Sequence, residues 1–416
     1  MKLLFLTNVY PPCGIGGYEQ RCQEVAIGLA RRGHRVEVLT SRNSVCGSES
    51  SSGETGVTRA LHLESNLLHY RPIDAVLRCH HRSRANRLMF DRQLSACEPD
   101  IVFVWGMWNL TIALPCYAER RLPGRVVYSV GDYWPRDPSV HQIYWTARAN
   151  HRFAEVMKSL LRRHCMRAVR AEVEERLSFA HVYCNSAYVR DSLVASGHLP
   201  TWAEVISPGI VVEPFLRAGA RRQTPSDGRL RLLYLGGLSE HKGVHIAIEA
   251  LAHLARSGET LQLTLIGDGH PDYVAFLREQ VRRLHLEGRV HFVGRLRYNE
   301  LPERLLDFDV MLFTSLWEEP FGRTILEAMA SGVLVVGSTV GGAREVLETY
   351  GPEILCSPGN VVELAQRIQL LQGNPMLRMQ LQARGRRLVI ERYTSERMID
   401  ELEQRLLEVV GSLSLT

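Results

Sequence analysis

Lysine is nearly missing from this chain of 416 residues: it occurs only at Lys2, Lys158 and Lys242, and arginine carries the rest of the positive charge. A bias so uniform reflects genome composition more than function, but it singles out Lys242, in His241-Lys242-Gly243, as a position where a compact ammonium suits a phosphate. A solvated surface lysine is the plainer alternative. Long apolar runs are also missing. The first is only Leu3 to Thr7, without a basic leader or a small-residue cleavage site, and reads as a strand and not as a signal peptide. No stretch approaches the roughly 18–20 apolar residues that span a bilayer, which excludes an integral membrane protein built of helices. The nine cysteines (Cys13, Cys22, Cys46, Cys79, Cys97, Cys116, Cys165, Cys184, Cys356) form no CxxC pair and have no histidine at zinc-ligand spacing. Reduced thiols and a cytoplasmic location are expected.

What is present divides the chain in two. Formal net charge is +5, with about +7 on residues 1–210 and about −2 on the remainder. Short β-rich runs alternate with helical patterns: LLFLT, a helix over Tyr18 to Arg32, RVEVLT, DIVFVWG, RVVYSVGD and HVYCNS. A second series opens at Leu230 to Gly237 and continues through a helix near Val244 to Ser257, LQLTLIGDG, a helix near Tyr273 to Leu284, RVHFVG, VMLFTS and VLVVGS. That rhythm predicts an α/β chain with two doubly wound, Rossmann-like parallel sheets. The expected division is a first domain over 1–208, a linker over 209–228, a second domain over 229–395 and a terminal helix over 396–416 packing back towards the first domain. The serine-rich stretch from Ser44 to Gly56 reads as a mobile loop.

Chemistry concentrates after VMLFTS, in Glu319-Pro320-Phe321-Gly322-Arg323-Thr324-Ile325-Leu326-Glu327-Ala328-Met329-Ala330. A helix starting near Arg323 aims the N–H groups of about Phe321 to Thr324 at the crevice beyond the strand, where helix dipoles favour anions and open α/β sheets bind ligands. Glu319 and Glu327, eight residues apart, are of the right type to accept the paired hydroxyls of a sugar. A solvated Glu319 and a Glu327 that only complements the helix dipole remain the alternative at this point. The run Gly236-Gly237-Leu238-Ser239-Glu240-His241-Lys242-Gly243 forms a second loop suited to phosphate, and Gly14, Gly16 and Gly17 make a similar turn after the first strand. Asp307-Phe308-Asp309 is formally a DxD, but it sits between a helical stretch and a strand and reads as a turn, not a metal site.

Together these segments resemble the family 4 retaining glycosyltransferases of the GT-B fold, whose signature is E-x7-E, with further matches at Leu265 to Gly269, Val290 to Gly294, Asp309-Val310 and Gly341 to Glu345. The resemblance implies two Rossmann-like domains facing each other across a cleft, with C-terminal helices after the second sheet. It implies a nucleotide-diphosphate sugar donor of UDP or GDP type, a saccharide, lipid-linked or small-molecule acceptor, and transfer of a hexosyl group with retention. By the same analogy Glu327 would hold the ribose, Glu319 the donor hexose, and Lys242 the diphosphate. Phe321, Gly322, Arg323 and Thr324 would offer backbone N–H groups, Gly294-Arg295-Leu296 would lie beside the base, and Gly16, Gly17 and Gly237 would lie near the phosphates. No cofactor, no metal and no nucleic acid is expected.

Two positions depart from the family pattern. Gly237 stands where an arginine is usual, and Gly131, before Asp132, stands where the family has the histidine of a His-Asp pair. Asp132 remains as a polar contact to donor or acceptor. The departures leave open a donor-binding but catalytically impaired partner subunit. Arginines crowd two helical stretches of the first domain, Arg78 to Arg92 and Arg148 to Arg170. The second has apolar residues at helical spacing (Met157, Leu160, Leu161), as in a helix packed on the core or one lying peripherally on an anionic membrane.

Overall fold

The computed structural model describes residues 1–13, 16–42, 56–64, 72–149, 151, 155–162, 176–222 and 229–413. The chain forms two compact units, Met1–Ile206 with Ile399–Thr416, and Ser207–Met398. Each is built on one parallel sheet, so the α/β architecture of two Rossmann-like units is the one observed.

The first unit carries β1 (Lys2–Leu6), β2 (Arg35–Ser41), β3 (Val57–Leu61), β4 (Ile101–Val104), β5 (Val126–Val130), β6 (His181–Cys184) and β7 (Glu204–Val205), ordered β3-β2-β1-β4-β5-β6-β7. Its central strands are apolar on both faces because helices cover both sides, and β4 and β5 are buried throughout. Phe5, Phe103 and Trp105 form the aromatic centre, with Phe103 and Trp105 edge to face at 5.2 Å. The final helix, Ser395–Leu413, belongs to this unit from Ile399 onward. Its Glu403 binds Arg32 at 2.5 Å and His34 at 2.6 Å, and its Arg405 reaches Glu204 at 2.9 Å.

The second unit carries β8 (Arg231–Leu235), β9 (Gln262–Ile266), β10 (Val290–Gly294), β11 (Val310–Phe313), β12 (Leu334–Ser338) and β13 (Leu355–Cys356), ordered β10-β9-β8-β11-β12-β13. In both sheets the order reverses beside the first strand, between β1 and β4 and between β8 and β11. Such switch points open a crevice at the carboxyl ends of the strands.

Two differences from the sequence expectations have simple causes. The stretch expected as linker holds the helix Glu213–Ala220, whose Phe215 is buried in the core of the second unit. One short amphipathic helix among Pro, Gly and Arg leaves little periodicity to read; residues 223–228 lie outside the described residues. Cys13 is disulfide-bonded, whereas Cys22, Cys97, Cys116, Cys184 and Cys356 are free and buried. Bonding depends on spatial approach of two β-carbons, which sequence spacing does not reveal. Most of the serine-rich loop and the second arginine stretch from 163 to 170 lie outside the described residues.

Candidate functional site: an anion-binding crevice in the second unit

Two loops flank the β8–β11 switch point, and backbone geometry stitches them together. Gly243 takes φ +67°, and any β-carbon there would overlap the Thr314 carbonyl. Leu316 N donates to His241 O at 2.9 Å, and Thr314 Oγ1 to Lys242 O at 3.2 Å. The consequence is positional: the Lys242 side chain meets the loop that follows β11.

There the Lys242 ammonium pairs with Glu319 Oε2. Trp317 Nε1 donates to the same oxygen at 2.9 Å, and Ser315 Oγ lies 3.5 Å from it. Lys242 Nζ also stands 5.3 Å from the centre of the Trp317 ring, within cation–π range. The pair is only partly exposed, 26% for Lys242 and 13% for Glu319, so it is screened less than a surface ion pair. The backbone of Glu319 is held as well. Gly342 N donates to Glu319 O at 2.7 Å, and the left-handed Gly341 brings its own backbone so close that a side chain there would strike Glu319.

Three residues later Gly322, at φ +87°, turns the chain into the helix Arg323–Ala330. The opening N–H groups of a helix have no partner within it, and its dipole draws anions to that end. Phe321 just before the turn is buried, edge to face with Tyr393 at 5.8 Å. Glu327 is 3% exposed, a burial that costs a carboxylate several kcal/mol, in rough terms, without a partner. Arg323 supplies it: Nε donates to Glu327 Oε1 at 3.1 Å, while Nη2 donates to the Tyr298 hydroxyl at 3.0 Å. Lys242, Glu319, Phe321, Gly322, Arg323, Thr324 and Glu327 therefore share one end of one sheet.

Gly237 lies in the same loop system, exposed, and its carbonyl accepts from the buried Tyr234 hydroxyl at 2.9 Å. A β-carbon there would meet nothing nearer than Asp268 O at 4.0 Å, so the missing side chain has no steric cause. Gly294 turns at φ +86°, placing Arg295 in solvent and Leu296 half-buried against the core. The DxD lies at the other end of the sheet. Asp307 pairs with Arg304 at 2.5 Å, and buried Asp309 accepts from Arg222 at 2.8 Å and Arg231 at 3.0 Å, closing the entry to β11.

In the first unit, Gly16 and Gly17 are exposed at the start of the helix Gly17–Arg31, and Gly16 N donates to Glu19 Oε2 at 3.0 Å. Tyr18 reaches from that helix to Ser129 O at 2.5 Å, and its ring occupies the space beside Gly131, where any β-carbon would overlap it. Behind it the Arg21 guanidinium lies 4.9 Å from the Tyr18 ring and 5.3 Å from the Trp105 ring. Asp132 follows, accepting from Trp134 N at 3.1 Å. Burial pushes its pKa up to about 6, Asp137 and Glu19 push the same way, and the Trp134 bond and Arg21 oppose them.

Residues 218–388 match the family described as Glycosyl transferases group 1, and residues 15–213 match the one described as Glycosyltransferase Family 4. The chain belongs to these glycosyltransferases. Glycogen synthase of Mycobacterium tuberculosis is 27% identical over 398 residues, covering 90% of this chain and 87% of that protein. N-acetyl-alpha-D-glucosaminyl L-malate synthase of Bacillus anthracis is 34% identical over 179 residues, covering 43% of this chain and 45% of that protein. Among solved structures, Anabaena HepE in complex with UDP and glucose superposes with a TM-score of 0.69 at 23% identity, covering 98% of this chain and all of that one. Sucrose-phosphate synthase of Thermosynechococcus elongatus superposes at 0.71 and 18% identity, covering 99% of each chain. The fold of this glycosyltransferase is thus GT-B.

Sequence reasoning missed Trp317, Ser315, Tyr298 and Tyr18. For Trp317 a signal existed: an indole N–H two residues from an acid in a polar loop usually has a partner. Tyr298 and Tyr18 meet their partners only through the fold.

Proposed function

We propose that this glycosyltransferase moves a hexosyl group from a UDP- or GDP-type sugar to a hydroxyl of a saccharide, lipid-linked or small-molecule acceptor, with retention of configuration and without a metal. The observation that carries the reading is the Lys242–Glu319 pair held beside the start of the helix Arg323–Ala330, with Glu327 one turn further in. A dianionic diphosphate fits between an ammonium and a row of helix N–H groups, and both grow more favourable as negative charge develops on the leaving phosphate. Lys242 carries that charge in place of a cation cofactor. Glu319 orients the hexose, and Glu327 anchors the ribose. The departing phosphate takes the acceptor proton on the face it leaves, so an oxocarbenium-like transition state collapses with retention and no enzyme nucleophile is needed. Backbone N–H groups of Phe321, Gly322, Arg323 and Thr324 contact the diphosphate or sugar, with Gly237, Arg295 and Leu296 towards phosphate and base.

In the first unit, Gly16 and Gly17 offer exposed backbone and Asp132 offers a carboxylate to donor or acceptor. The described helical residues 155–162 expose Val156, Met157, Leu160 and Leu161, the third by 70%, beside Lys158 and Arg162. Apolar side chains flanked by cations suit peripheral contact with an anionic lipid surface, where a lipid-linked acceptor resides. Flotation with anionic vesicles but not with neutral ones, lost in Leu160→Asp, is the expected behaviour.

NMR of the product anomer tests the mechanism, and an inverted linkage removes it. The competing reading, a donor-binding but inactive partner subunit, predicts nucleotide binding with no donor turnover under any condition.

A further inference from the structure

The helix Arg323–Ala330 starts with a cation at the end where its dipole disfavours one. Several helices of this unit place an acid in their first turn (Asp272, Glu345, Glu363), as the dipole favours; this one, like Val244–Arg256 and Pro375–Arg392, has none, and its first residue is a cation, Arg323. Its ion pair with Glu327 also runs in the less favourable order, cation before acid at i,i+4. Helix stability therefore does not account for Arg323. Its side chain, 11% exposed, instead bridges two elements: Nε holds Glu327 Oε1 at 3.1 Å, Nη2 holds the Tyr298 hydroxyl at 3.0 Å, and its guanidinium carbon stands 5.5 Å from the Tyr298 ring centre. Tyr298, which follows the β10 turn, is braced by Phe215 at 6.1 Å and is 36% exposed.

We infer that Arg323 is a positioning residue that fixes the Glu327 carboxylate and ties it to the loop after β10, so that it sets how strongly the site discriminates a ribonucleotide donor from its deoxyribose counterpart. The inference rests on the reading of Glu327 as ribose anchor. A planar guanidinium holds the carboxylate at a fixed angle and so sets the direction in which it meets a diol. Without it, the carboxylate has alternative rotamers, and the cost falls on hydroxyl recognition and not on the reacting centre.

The test is calorimetric titration with UDP or GDP, whichever binds more tightly, against its 2′-deoxy and 3′-deoxy forms. The parent chain is expected to prefer the ribonucleotide over at least one deoxy form by about tenfold or more, since a charge-assisted hydrogen bond is lost. Arg323→Met should reduce that preference to about threefold or less and raise the donor KM; Arg323→Lys should restore part of the preference. Tyr298→Phe, which removes only the hydroxyl, should lower the preference by an intermediate amount and serves if Arg323→Met does not fold. An unchanged preference in the folded Arg323 variant, or in Tyr298→Phe, overturns the inference. If Glu327→Gln loses the preference while the Arg323 variant keeps it, only the role of Arg323 fails. If Glu327→Gln itself keeps it, the ribose reading of the site fails too.

Discussion

Gly131 and Gly237 each stand on a loop beyond a sheet's carboxyl edge, after β5 and after β8, and each departs from the pattern that the sequence led us to expect, but in opposite surroundings. At Gly131 the neighbouring structure dictates glycine: the Tyr18 ring and the Arg21 guanidinium occupy the space of a side chain. At Gly237 nothing does, because the nearest heavy atom stands 4.0 Å from where a β-carbon would be. The first unit is packed tightly around its glycine, whereas the second leaves space beside its own and carries Lys242 in the same loop. A glycine thus marks a filled site in one place and an open position in the other.

The largest effect should come from the intact side of this comparison. Glu319→Ala is expected to lower kcat by about 10²–10³, as for loss of one transition-state contact, while the affinity for nucleoside diphosphate changes less than about tenfold; steady-state kinetics and calorimetry separate the two. Next comes Gly131→His, expected to destabilise by about 1–3 kcal/mol in denaturant unfolding, the usual cost of overpacking. Adding Tyr18→Ala should return part of that loss. Parent-like stability of Gly131→His would break the contrast.

Asp132 gives a pH-dependent effect of similar or smaller size. Its pKa is about 6 in the folded chain against an ordinary 3.8, so folding is disfavoured once the carboxyl must ionise. Its contribution to stability is unpenalised below about pH 4, falls as pH rises, and stays low above about pH 6. Asp132→Asn should therefore match the parent near pH 4 and exceed it at pH 7.5, by on the order of 2 kcal/mol, in parallel thermal melts. The smallest change is expected from Gly237→Arg: stability within about 0.5 kcal/mol of the parent, and nucleoside diphosphate bound several-fold more tightly through a restored phosphate contact.

Much of the fold was legible because it rests on local patterns. The central strands are unbroken apolar runs, and the helices between them carry the expected period. The edge elements were not: β3 and β7 are short and partly exposed, β13 has two residues, and the helix Glu213–Ala220 hides in a stretch that reads as linker. Of the candidate site, the E-x7-E spacing located one helix and its loop. Which cation meets which acid was not readable, since Lys242 and Glu319 lie 77 residues apart and are joined by loops that touch only after β8 and β11 pair. The reason for Gly131 was hidden likewise, in a tyrosine whose hydroxyl bonds a carbonyl 111 residues away. Arg323 and Glu327 were visible as neighbours at i,i+4, but the tie to Tyr298 crosses from one loop to another.

Donor turnover tests the central claim most directly. Release of UDP or GDP from a panel of their hexose conjugates should be followed with the parent chain and with Glu319→Ala, both shown to bind the nucleoside diphosphate. The account predicts slow release by the parent without acceptor, accelerated by a hydroxyl acceptor, and essentially none by the variant. Equal release by both proteins, or binding without release by the parent for every conjugate, would contradict it.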